Sequence, residues 1–137
     1  MKAKQLITGG IAATNMMTAY SYVADRAAKE RVLIPELLGM LSNDMVSGRY
    51  RLHGWITHYL IGIAWSAVFY QTAERHQGRA VLVRGLTFGL FSGLTGIAVW
   101  QLLFRLHGKP YYTSLRLFRR HLLIAHVVYG ETLALRA

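Results

Sequence analysis

From Gly85 to Phe104 the chain runs twenty residues without a charge. As a helix this stretch is about 30 Å long, the thickness of a bilayer's hydrocarbon core. It has no polar face to turn toward water, which weighs against the competing architecture, a soluble four-helix bundle. Three more apolar stretches lie at about 6–23, 54–71 and 121–135. Composition agrees: 53% hydrophobic against 16% charged is more apolar than the surface of a 137-residue soluble domain requires. The expectation is all-α, a four-helix transmembrane bundle forming one integral membrane domain over residues 1–137.

The four segments differ in character. The first, Leu6 to Val23, is uncharged but carries Thr8, Thr14, Asn15, Thr18 and Ser21. Those groups need partners, so much of this helix should face other helices. It follows Lys2 and Lys4 without a small-x-small cleavage site, so it should remain as a helix rather than be removed as a signal. The second, Gly54 to Gln71, has Trp55 and Tyr70 near its ends, where interfacial anchors sit. The fourth, His121 to Leu135, has fifteen residues. At about 22 Å it is short for a span, which calls for snorkelling arginines or a thinned bilayer. The connections 24–53 and 105–120 each mix apolar and polar residues around one of the two prolines, Pro35 and Pro110. Proline suits a first helical turn, so both connections read as short amphipathic helices at the interface.

The net charge of +10 raises nucleic acid as a partner, but the basic residues lie between and beside the apolar segments, as in loops facing lipid headgroups. Nucleic-acid binding is therefore not expected. Ten basic residues fall with the two longer connections and six with the side of the termini. The positive-inside rule then puts those connections in the cytoplasm, with the chain in a bacterial cytoplasmic membrane. The absence of cysteine excludes disulfides, thiolate metal sites and thiol catalysis.

The order span, amphipathic connection, span occurs twice, with an echo in the residues. His58, Gly62 and Ser66 in the second segment match His126, Gly130 and Ala134 in the fourth, each at intervals of four on one helix face. Gly9, Gly10 and Ala13 in the first segment answer Gly85, Gly89, Gly93 and Gly96 in the third. The chain reads as a possible duplicated two-helix unit, a parallel pseudo-repeat. In the Gly/Ala/Thr-rich first helix, His58 with Gly62 and Tyr70, the Gly-rich third helix ending near Pro110, and His126 with Tyr129 and Gly130, the chain also resembles small four-span bacterial membrane proteins of unknown function. The resemblance implies the fold and lends no activity. The long charged stretch between the first two helices departs from it.

Gly85, Gly89 and Gly93 form a small-residue stripe suited to close helix packing, with Gly62 and Gly130 in similar positions. His58 and His126 each lie about five residues into helices starting from the same side, so both imidazoles should sit about 8 Å deep. Gln101 and Tyr20 fall near the same level, suggesting a polar layer with one residue per helix. Three readings of that layer are open, one of them a proton pathway. Neutral imidazoles can fix helix register by bonding Tyr20 or Gln101. Alternatively, the two histidines can ligate a haem, or one of them a chlorophyll-type pigment, with nearby arginines on the propionates. No metal site of the zinc type is expected, since no carboxylate lies at that level. Glu131, the one carboxylate inside a segment, should pair with Lys4, Arg75 or Arg84 in an intramembrane ion pair. No hydrolase triad, phosphate loop or nucleotide fold is present in the sequence, so no catalysis is expected. The reading is a structural or accessory subunit packing against other membrane subunits or itself within the lipid bilayer.

Overall fold

The structure, a computed structural model, describes residues 3–29, 33–41, 48–73, 80–108 and 114–137. Among these the chain is all-α: α1 (Ala3–Ala28), α2 (Ile34–Met40), α3 (Tyr50–Ala73), α4 (Val81–His107) and α5 (Leu115–Ala134). Each apolar segment of the sequence falls on one of the four long helices, the fourth ending one residue beyond α5 at Leu135. Among the described residues α4 is the one helix long and apolar enough to cross a membrane by length and composition. The segment at 121–135 was cut short by its charges. α5 begins at Leu115 and has 20 residues, because Arg116, Arg119 and Arg120 continue the helix rather than end it.

That extension also corrects the second connection. Leu115 to Phe118 do not form a separate interfacial helix but the first turn of α5, and residues 109–113 lie outside the described residues. In the first connection a short helix does occur, α2, with Pro35 in its first turn. It is not laid on the surface. Ile34 and Leu37 are buried in a cluster with Trp100, Phe118 and Leu122, so α2 plugs one end of the bundle. Its docking on α3 is backbone to backbone: a side chain on Gly54 would collide with the Pro35 carbonyl and with Gly39.

Two antiparallel helix pairs build the rest. In the first, α1 and α3 meet turn by turn: Gly10 at Ile63 and Ser66, Thr14 at Gly62, and Thr18 at His58. The buried stripe of α1 is Gly9, Gly10, Ala13, Thr14, Met17, Thr18, Ser21 and Ala24, one face at helical spacing, as its polar content requires. Ser66 Oγ donates to the Leu6 carbonyl at 2.7 Å, a bond between helices. In the second pair, Gly85, Gly89 and Gly93 of α4 lie against Glu131, Val127 and Leu123 of α5. A Cβ on Gly89 would stand 2.6 Å from Val127 Cα, so the backbones touch. Gly130 of α5 approaches Gly85 and Gly89 from the other side.

α5 packs against both α4 and α1, which joins the two pairs. α3 and α4 barely meet. Where they do, rings bridge the gap: Trp65 stands edge-on to Phe88 and Phe91, and Phe69 to Phe88.

Replacing Gly89 with Leu should lower stability by at least about 3 kcal/mol, since the obstacle is backbone and cannot move aside. Leu90→Ala, on the exposed face, should stay within about 0.5 kcal/mol. Thermal unfolding in detergent measures both, and equal melting of Gly89→Leu and the parent would contradict the close approach.

Candidate functional site

The four helices and α2 enclose a cavity of about 90 Å³. His58 from α3 and His126 from α5 both line it, so the two imidazoles do face a common space. Its other polar liners come from the first helix pair and α5, chiefly Thr14 and Tyr129, and its walls include Trp65 and Trp100.

The hydrogen bonds fix where the protons are. Thr18 Oγ1 donates to the Thr14 carbonyl at 2.7 Å, one turn back on its own helix. Its hydrogen is thereby used, so the 3.0 Å contact with His58 runs the other way: His58 Nε2–H donates to Thr18 Oγ1. His58 Nδ1 is left as a lone pair. In His126 the assignment is opposite. Nδ1 lies 2.9 Å from the Leu122 carbonyl, which can only accept, so Nδ1 carries the hydrogen and Nε2 is bare. That Nε2 sits over Gly96, where an added Cβ would come within 3.3 Å of it. Tyr129 gives its hydroxyl hydrogen to the Gly62 carbonyl across the bundle. Thr14 Oγ1, buried against Gly62, has no partner.

The cavity walls thus include two imidazoles, each with one nitrogen acting as donor to the protein and one bare. Such a site accepts hydrogen bonds from a small donor. Its volume exceeds the roughly 10–15 Å³ that a water molecule needs, so it has room for water. That volume is well below the roughly 300–1,000 Å³ of a pocket for a drug-sized molecule.

The expected four-residue layer does not assemble. Tyr20 bonds His121 Nδ1 at 3.0 Å, away from the cavity. Gln101 lines a separate groove with Phe104, Arg105, Leu115 and Arg119. Depth along an axis places residues at one level but leaves their direction open. Gln101 follows the inward-facing Trp100 and is turned from it by about 100°. His121, taken from sequence as a helix end, lies six residues inside α5 and so meets Tyr20. The sequence did mark Thr14 and Thr18 as groups in need of partners, but their pairing with the histidine helix required the register of α1 on α3.

The glycines lie where helices meet: Gly85, Gly89 and Gly93 against α5, Gly62 against Thr14, and Gly130 against α4. The cations expected to pair with Glu131 lie only partly among the described residues. The Glu131 carboxyl lies on Gly85, and among the described residues Oε2 is buried with no hydrogen-bond partner, as is Arg84 Nε. Arg75 lies outside the described residues.

The profile of one protein family matches residues 2–136, nearly the whole chain. The chain belongs to the DUF6789 family, a family of unknown function. DUF6789 membership therefore covers all five helices and the cavity among them, and it names no reaction or ligand for them. Nothing matches the chain among curated proteins or among solved structures.

Two outcomes follow from the proton assignment. Nitrogen-15 NMR of the imidazoles should find His58 protonated on Nε2 and His126 on Nδ1; a shared tautomer would refute the hydrogen-bond network. Thr18→Val should cost about 1–3 kcal/mol in thermal unfolding by stranding the buried His58 donor. Thr8→Val, whose hydroxyl bonds only exposed carbonyls of its own helix, should cost much less.

Proposed function

We propose that the chain is an integral membrane protein whose four long helices cross the bilayer, and that it serves as a structural or accessory subunit. It packs within a larger membrane complex or against copies of itself, without catalysis. One observation carries this reading: the distribution of side chains is inverted. Leu60, Phe91, Leu94 and Leu106 are all at least 60% exposed, while Thr14, Ser66 and Ser92 are at most 1% exposed. In water, the outer wall of α4, from Leu82 to Leu106, would be an apolar patch of a kind soluble monomers rarely carry. In lipid the same arrangement is favourable, because small and weakly polar residues drive helix association there.

Lengths support four crossings. α1, α3 and α5 have 26, 24 and 20 residues, or about 39, 36 and 30 Å, enough for the hydrocarbon core. α1 falls short in hydropathy because threonine, serine, asparagine and glycine make up much of it, and in the bundle most of these face α3 or α5. A packing role is supported by the interior: its hydroxyls and imidazoles bond mainly to the protein's own helices. The excess of basic residues on the longer connections supports a bacterial cytoplasmic membrane with those connections inside.

The absence of native cysteine allows single-cysteine reporters. Expressed in bacterial membranes, the chain should resist alkaline carbonate extraction. Arg116→Cys and Arg136→Cys should be labelled from opposite faces by an impermeant thiol reagent. Release by carbonate, or labelling of both from one face, would defeat the four-span reading. Crosslinking in those membranes should yield species above the 15.5 kDa monomer; monomer alone would defeat the packing role.

A further inference from the structure

Between Glu74 and Glu131 the sequence contains no carboxylate, yet α4 ends and α5 begins with arginines. The groove where these two ends diverge has a volume of about 280 Å³ and is lined, among the described residues, by Gln101, Phe104, Arg105, Leu115 and Arg119. Two arginines from neighbouring helices thus line one groove whose described lining holds no carboxylate. Like charges so placed repel, and an anion between them relieves the repulsion. The guanidinium fork and the Gln101 amide are donors matched to phosphate oxygens.

The same groove is half apolar. The Phe104 ring and the Leu115 side chain form its walls, and Leu102 and Leu106 on α4 are 57% and 69% exposed on either side of Arg105. An anion that is only a phosphate would leave those walls uncovered. A phosphate carrying hydrocarbon chains covers them, with its head in the groove and a chain along the leucines of α4. Basic pockets at the ends of membrane helices recognise lipid headgroups by this combination.

We propose that the groove between the C-terminal end of α4 and the N-terminal end of α5 binds the headgroup of an anionic phospholipid, with Arg105 and Arg119 on the phosphate and Gln101 as a further donor. The site rests on the membrane reading given above, since a lipid reaches it only if the chain lies in a bilayer. Phosphate is the shared chemistry of a headgroup and a free ion, and the apolar walls select the lipid.

The test uses the full chain reconstituted in phosphatidylcholine vesicles and titrated with phosphatidylglycerol, with retention of the anionic lipid read by native mass spectrometry after gentle extraction. Preferential retention of phosphatidylglycerol over phosphatidylcholine is expected. The double variant Arg105→Gln, Arg119→Gln should weaken it about thirtyfold, at about fivefold for each arginine. Arg26→Gln with Arg116→Gln removes the same charge from exposed positions outside the groove lining and should leave the preference within about twofold of the parent. Equal losses in the two double variants would overturn the site in favour of a general field of positive charge. Inorganic phosphate displacing the lipid at equal concentration would overturn it in favour of an adventitious ion only. Failure of the parent chain to float with the vesicles would remove the membrane reading, and the site with it.

Discussion

The bundle depends on backbones coming into contact where side chains are missing. At Gly89 and Gly130 the α4 and α5 chains approach until a methyl group would not fit, and at Gly10 and Gly62 α1 and α3 do the same. Dispersion falls steeply with distance, so small residues gain attraction over the whole helix face rather than at a few knobs. This contact also sets the register. Once Gly62 lies on Thr14, His58 is carried to Thr18 one turn further along; once Gly89 lies on Val127, His126 is turned over Gly96. The polar interior is positioned by the apolar and small-residue packing around it.

Much of this was legible in the sequence, and the reasons are specific. The Gly85–Phe104 run could be nothing but a long apolar helix. The hydroxyls of the first segment, spaced at threes and fours, announced a helix that faces protein. Histidines at matching depth in helices of the same direction pointed to a shared space. What was not legible depended on azimuth and on partner register. Gln101 and Tyr20 stand at about the right level yet face elsewhere, because a shift of one residue along a helix is a turn of about 100°. The early start of α5 was hidden by reading arginines as loop residues, although arginine is among the good helix formers. The contact of the Glu131 carboxyl with Gly85 likewise depends on the register of α4 on α5.

The two helix pairs are similar in plan and different in what they hold. Both use glycine to close, and both bring a histidine to the central cavity. In α3 the imidazole donates across to a neighbouring helix, while in α5 it donates back to its own carbonyl. Two similar helix pairs thus hold opposite tautomers. The cause is the neighbour: α1 supplies Thr18, whose hydroxyl oxygen is an acceptor, whereas the bare Nε2 of His126 is met by Gly96, which has no side chain to offer.

The sparse meeting of α3 and α4 gives the molecule a mechanical direction. Along α1/α3 and α4/α5, separation would break backbone-level packing over many turns. Along α3/α4 it parts a few ring edges, each worth about 1 kcal/mol, and the packing of α2 on Trp100, Phe118 and Leu122 together with the Tyr129 bond to Gly62. If the bundle opens, this seam is the clasp, held by Trp65, Phe69, Phe88 and Phe91 and closed at one end by α2, with α1 against α5 as the spine. Opening the clasp exposes the histidine cavity sideways. The easiest path to the polar centre then leads through the flank of the bundle rather than along its axis.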